Sequence, residues 1–252
     1  LEKFPQLKLH INKENKIYTE YNVYTATGRP ANRFGGVNFA ALNRDNGERS
    51  MIKSRFKDGN ILMFDYDAYH LILVSKLVGY DFPTDINIHE YLGRQYFDKV
   101  ELTEEEYSES KSVSFEILYG GIDESVAEAI PFFRKALDFI DELWKKSQDM
   151  GYTESILSKR RIYTKDFNKN KLFNYILQNY ETERNITVIQ KILSKIKSSE
   201  TKLILYVYDG FVFDMHPDEK LLGDELQFII EDGGFKTKKF IGKNFHELRK
   251  VR

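Results

Sequence analysis

Apolar positions recur along this chain with two different periods, and their order predicts most of its elements. Ile61-Leu62-Met63-Phe64 is a short continuous apolar run bounded by Asp65, the pattern of a buried strand. Leu71, Leu73, Val74, Leu77 and Val78 follow it at helical spacing. The pattern stays helical from Asp85 to Ile130, where Glu104-Glu105-Glu106 leads into Lys111–Tyr119; acidic residues suit the positive end of a helix. A long helix is predicted from about Pro131 to Met150, on Phe132, Phe133, Ala136, Leu137, Phe139, Ile140, Leu143 and Trp144, with Gly151 as its cap. Another runs from about Phe173 to Ile196 and is rich in Asn and Gln near its start. Two β runs then meet at Asp209-Gly210, a strong short-range hairpin signal. A helix near Glu219–Ile230 and a basic strand, Lys236–Lys243, close the chain. At the other end, Leu7 to Tyr24 mixes β-branched, aromatic and charged residues around an Asn-Lys-Glu-Asn turn and predicts a hairpin. Thr25 to Gly47 reads as loop, with Gly28, Pro30, Gly35, Gly36, Arg29 and Arg33. Strands near both ends with helices between them give an α+β class, one sheet carrying a helical insertion.

Composition narrows the function. The 252 residues suffice for one large domain or two modest ones. Thirty-eight Lys+Arg against thirty-nine Asp+Glu give a net charge of -1, which excludes a binder that relies on bulk positive charge. It leaves open a nucleic-acid enzyme with basic and acidic groups on different walls of one cleft. The absence of cysteine excludes a disulfide scaffold, a thiolate metal site and a cysteine nucleophile. A mean hydropathy of -0.51 and the lack of any apolar run near the ~18 residues of a spanning helix predict no membrane segment. The chain opens Leu1-Glu2-Lys3, with neither Met nor a basic-then-apolar leader, and is expected to be a cut or processed cytoplasmic chain.

Two carboxylates and one helix face are the candidates for chemistry. Asp65 ends an apolar strand and Asp209 sits at a hairpin tip, where a carboxylate must be solvated, paired or holding a metal. Each also has an ordinary reading, as strand terminator and as turn residue. Lys111, Phe115 and Tyr119 lie at i, i+4 and i+8 and share a helix face. A cation followed by two aromatics suits a nucleoside triphosphate, with the cation on phosphates and the rings against sugar and base. The same stripe could simply be core.

Segments in matching order resemble the polymerase domain of family A DNA polymerases, the bacterial DNA polymerase I type. Thr25-Ala26-Thr27-Gly28-Arg29 is similar to the family's TATGR element, and Phe64-Asp65-Tyr66 to its motif A. Lys111, Phe115, Tyr119 and Gly120 match the KxxxFGxxYG helix of the fingers. Gly151-Tyr152 through Arg160-Arg161-Ile162-Tyr163 and Asn174…Gln178 resemble the GY…GRRLY and NxxxQ elements. Val207-Tyr208-Asp209-Gly210 stands where motif C has Val-His-Asp-Glu, and Phe240–Phe245 resembles the terminal strand. The resemblance implies an antiparallel palm in two parts, residues 1–78 and 166–252, with a fingers insertion at 79–165. No residues are then left for thumb and exonuclease-type domains. A separate chain or an N-terminal part would supply those, and the chain alone would hold DNA weakly.

The resemblance further implies template-directed DNA synthesis from dNTPs on primer–template DNA by two-metal phosphoryl transfer. Asp65, Asp209 and Tyr66 would hold two Mg²⁺ ions, with Mn²⁺ a possible substitute. Lys111, Phe115, Tyr119, His89 and His70 would contact the nucleotide. Arg29, Asn174, Gln178, Arg160 and Arg161 would contact DNA. Departures accompany the matches. Tyr107 replaces an arginine before the fingers lysine, Glu116 a glycine, and Gly210 a third carboxylate; His70 replaces the glutamate that helps exclude ribonucleotides, so a more permissive sugar gate is expected. A single-subunit RNA polymerase-like enzyme and a non-catalytic nucleic-acid-binding relic remain as alternatives; a phage source is also compatible with the divergence.

Overall fold

The computed structural model describes residues 5–32, 37–43, 45 and 47–251. In chain order the elements are α1 (Pro5–Lys8), β1 (Tyr21–Asn22), β2 (Ala31–Asn32), β3 (Asn60–Tyr66), α2 (Tyr69–Val78), α3 (Ile88–Tyr96), α4 (Glu104–Gly120), α5 (Glu124–Ala129) and α6 (Pro131–Met150). They continue with β4 (Tyr152–Glu154), β5 (Arg161–Tyr163), α7 (Lys169–Lys195), β6 (Lys202–Val207), β7 (Gly210–Met215), α8 (Leu222–Ile230), β8 (Thr237–Gly242) and β9 (Arg249–Val251). The class is α+β, as expected.

The chain divides into two compact units, one of residues Leu1–Asp67 and Thr182–Arg252, the other of Ala68–Glu181. The first is built on an antiparallel sheet of order β6-β7-β3-β8-β9. Its central strands are largely buried, which is why β3 and β7 carry the apolar runs Ile61–Phe64 and Phe211–Phe213. On one face Ile61, Leu205 and Val212 join Leu7, Phe39, Leu42 and Phe245 in a core cluster. Phe64 and Phe213 meet edge to face at 6.0 Å, as do Tyr66 and Phe211 at 5.9 Å. α8 covers Leu62 closely: a Cβ added at Gly223 would lie 3.4 Å from the leucine's Cδ2.

The second unit is helical. α4 starts on a capping box in which Thr103 Oγ1 accepts from the Glu106 N–H and the Glu106 carboxylate accepts from the Thr103 N–H. α6 begins with Pro131 and ends on Gly151 in the left-handed region (φ 74°). Leu172 and Ile176 of α7 pack with Ile162, Leu143 and Trp144. Those contacts draw the first half of α7 into the helical unit, and α2 joins it by packing on α6. The compact units therefore change over at 67/68 and 181/182, whereas the sequence placed the divisions at 78/79 and 165/166.

Two local expectations are corrected. The Leu7–Tyr24 hairpin is only an isolated bridge, Ile11 to Ile17, closed by the Asn12–Lys16 turn; Leu7 belongs to α1, and Tyr21–Asn22 pairs instead with Ala31–Asn32. Asn12 Oδ1 accepts from the N–H groups of Glu14 and Lys16, so the turn is satisfied locally without long strands. The β6–β7 turn lies one residue earlier than Asp209-Gly210. Tyr208 takes the left-handed conformation (φ 55°), and Gly210 already pairs with Val207. Arg33, Gly35 and Gly36 lie outside the described residues.

Candidate active site

Asp65 and Asp209 come together through strand register. Asp65 lies opposite Gly210 in the β3–β7 ladder, and the Tyr66 N–H donates to the Asp209 carbonyl at 3.0 Å. Asp65 is half-buried and Asp209 exposed, so both acids stand where the sheet meets solvent. Asp65 does not terminate its strand, which continues to Tyr66. The next acid along, Asp67, pairs with Lys238 of the neighbouring strand.

Several groups fix this corner. Arg184 Nη1 donates to the Tyr66 hydroxyl at 2.6 Å, and its Nη2 donates to the carbonyls of Asp232 (2.8 Å) and Ile230 (3.2 Å). Its guanidinium also stacks on Phe235, 3.6 Å from the ring centroid. Tyr66 donates to the Ile230 carbonyl, and burial pushes its phenol pKa up to about 12. At the hairpin tip the fully buried Asn185 donates to the Tyr208 carbonyl at 2.8 Å and the Tyr206 hydroxyl at 3.1 Å. The Arg29 guanidinium stacks on the Tyr208 ring at 3.9 Å. Gly210 supplies no carboxylate, and a Cβ there would press to 3.0 Å from the Met63 methyl.

Hard oxygen donors suit a divalent ion, and Mg²⁺ in particular binds through one or two carboxylates while leaving positions for water and phosphate. The carboxylates of Asp65 and Asp209 are donors of that chemistry. Among the described residues no group of three His, Cys, Asp or Glu side chains forms a complete metal cage. Such a cage is not required where substrate phosphates complete the coordination.

The helical unit gathers a second constellation. Phe115 and Tyr119 stack on α4, 6.0 Å apart at 16°, and Phe115 keeps 40% of its surface exposed, more than a core residue would. His89, buried near the start of α3 behind the Asn87 cap, lies 6.2 Å from the Phe115 ring. The Lys111 ammonium lies over the Tyr107 ring at 4.2 Å, so the residue replacing an expected arginine steadies the lysine instead. Asn174 donates to the Tyr119 carbonyl at 3.2 Å. His70 Nδ1 hydrogen-bonds the Tyr119 hydroxyl, while its Nε2 pairs with the Glu181 carboxylate.

The remaining candidates lie on α7 and at the β4–β5 hairpin. Half-buried Gln178 lies one turn beyond Asn174 on α7. Exposed Arg160 and Arg161 sit at the β4–β5 hairpin, where Arg161 stacks on Tyr152 at 4.7 Å. Sequence reasoning missed Glu181, Arg184 and Asn185. A signal was present: Leu177, Glu181, Asn185, Val188 and Ile192 share one face of α7, and two polar residues interrupt an otherwise apolar stripe.

The first unit thus carries two aspartates at neighbouring strand ends of an antiparallel sheet, and the helical unit carries a Lys-Phe-Tyr helix face. No protein-family model matches the chain. It is 24% identical to DNA polymerase I of Caldicellulosiruptor bescii, across 80% of this chain and 28% of that protein. Among solved structures it resembles the POL domain of Pol1 from M. smegmatis in complex with DNA primer-template and dNTP. That match has a TM-score of 0.80 and 16% identity, and it covers 96% of this chain and 50% of the other. The fold is thus that of a DNA polymerase I-like polymerase domain, and the chain spans only about a quarter to a half of the length of these relatives.

Proposed function

We propose that the chain carries out template-directed DNA synthesis, adding deoxynucleotides from dNTPs to a primer 3′-hydroxyl with release of pyrophosphate. The observation that carries this reading is the register of β3 on β7, which brings Asp65 opposite Gly210, next to the Asp209 tip, at the ends of these interior strands. Asp65, Asp209 and the Tyr66 carbonyl would hold two Mg²⁺ ions, which supply charge stabilisation for phosphoryl transfer and lower the pKa of the attacking hydroxyl. Arg184 anchors the hydroxyl of Tyr66, the residue after Asp65, and Asn185 the carbonyl of Tyr208, the residue before Asp209, which supports the positioning of both aspartates. Arg29, steadied on Tyr208, would follow the primer end.

In the helical unit, Lys111 and His89 would take the triphosphate. Phe115 and Tyr119 would offer their stacked faces to the sugar and base. Asn174, Gln178, Arg160 and Arg161 would contact the DNA backbone and minor groove without reading sequence. DNA and dNTPs are therefore the proposed partners.

Extension of a templated hairpin primer in Mg²⁺ tests the reading. The wild-type chain is expected to extend it, and Asp209→Asn to lose at least about 10³-fold in rate while staying folded. Equal extension by both proteins would contradict the assignment of Asp209. Extension with ribonucleotides alone would favour the RNA polymerase-like alternative.

A further inference from the structure

We propose that Glu181 is a positioning residue for the incoming nucleotide, acting through His70 on Tyr119. This rests on the reading of Tyr119 as a nucleotide contact. Glu181 is fully buried, and the His70 side chain is only 11% exposed. Burying a carboxylate is costly unless it is paired and hydrogen-bonded, and an apolar residue would continue the α7 stripe on which Glu181 lies. The carboxylate therefore calls for a purpose beyond packing.

Donor and acceptor chemistry gives the chain of three a direction. A carboxylate only accepts, so Nε2 of His70 carries the proton that Glu181 holds. In the neutral ring Nδ1 is then the acceptor for the Tyr119 hydroxyl proton. α7 also reaches the other end of the same residue, since Asn174 donates to the Tyr119 carbonyl at 3.2 Å. Asn174 and Glu181 are seven residues apart, about 10 Å along the helix. One rigid helix thus holds both ends of Tyr119 and sets the angle of its ring against Phe115. Where the family resemblance expects a glutamate at position 70, the carboxylate here stands at 181 with an imidazole between it and the tyrosine.

The test has two arms on the full chain. In the first, ¹⁵N-histidine labelling reads the His70 ring, with His70→Gln identifying its signals. Wild type is expected to show Nε2 protonated and Nδ1 as acceptor. Glu181→Gln, whose amide oxygen still accepts, should preserve that tautomer, and Glu181→Leu should lose it. In the second arm, Glu181→Leu should raise the dNTP half-saturation about tenfold or more with kcat within about threefold, and Glu181→Gln should restore most of it. The paired change His70→Phe with Glu181→Leu removes both polar groups. It should recover thermal stability but keep the raised half-saturation, which a purely structural role would not do.

An Nδ1–H tautomer in wild type, an unchanged His70 spectrum in Glu181→Leu, or an unchanged half-saturation in folded Glu181→Leu would overturn the proposal. If wild type extends no primer, the polymerase reading fails. The tautomer arm still decides whether Glu181 orients His70.

Discussion

Tyr66 follows Asp65 directly and is held at both its backbone and its hydroxyl, so the corner proposed for catalysis is stiffened by a neighbouring side chain. Its N–H is fixed by the Asp209 carbonyl and its hydroxyl by Arg184 and Ile230. Burial raises its pKa from 10.0 to about 12. An acid whose folded pKa is raised stays protonated in the native state while the unfolded chain ionises. Stability is therefore full below about pH 10 and is lost as the pH climbs toward 12. Chemical denaturation across that window should show a falling midpoint. Tyr66→Phe should be less stable at neutral pH, by about 1–2 kcal/mol for the lost hydrogen bonds, yet decline less steeply above pH 10. An identical alkaline decline in the two proteins would contradict the burial of the phenol.

The same scale explains what was legible. Asp65, Asp209, Lys111, Phe115 and Tyr119 announce themselves because local pattern, a strand end, a turn or a helix face, carries them. Their supports do not: Glu181 pairs with a residue 111 positions away, and Arg184 with one 118 positions away. Nothing local in the sequence specifies such partners.

At the scale of elements, α3 and α4 are set by one close approach. A Cβ at Gly93 would stand 2.6 Å from Leu102 Cδ1 and 2.8 Å from Ser110 Cβ, so the helices can touch only where α3 has no side chain. Gly93→Ala is expected to push α4 outward, costing about 1–3 kcal/mol in thermal unfolding and weakening dNTP binding, since α4 carries Lys111, Phe115 and Tyr119. Thr103→Ala removes the α4 cap and should cost about 1 kcal/mol with a smaller effect on binding. A larger binding defect from the cap than from the glycine would reverse that ranking. Long periodic elements were predictable, because α6 runs over the expected Pro131–Met150 and ends on Gly151. The N-terminal hairpin was not, because its β-like composition is satisfied by one bridge and a side-chain-capped turn. The shift of the β6–β7 turn has a similar cause: Asn185 holds Tyr208 in the left-handed conformation that Asp-Gly alone would have taken one residue later.

At the scale of the molecule, the net charge of -1 excludes only a binder that relies on bulk positive charge. Asp65 and Asp209 stand at neighbouring strand ends of the sheet, while the candidate DNA contacts Arg160 and Arg161 stand exposed in the helical unit. None of the helices among the described residues is long and apolar enough to cross a membrane. The fold itself was legible as one sheet interrupted by helices, although the helical unit extends further into α2 and α7 than sequence divisions placed it.

The central claim is that synthesis follows a template through the Asp65–Asp209 corner. The most direct measurement is single-nucleotide incorporation in Mg²⁺ on four hairpins that differ only in the templating base, each offered all four dNTPs separately. Wild type is expected to add the complementary nucleotide on every template, with Asp65→Asn and Asp209→Asn inactive on all four. Addition that ignores the template, or no addition by wild type while DNA is bound, would contradict it and favour a non-catalytic palm.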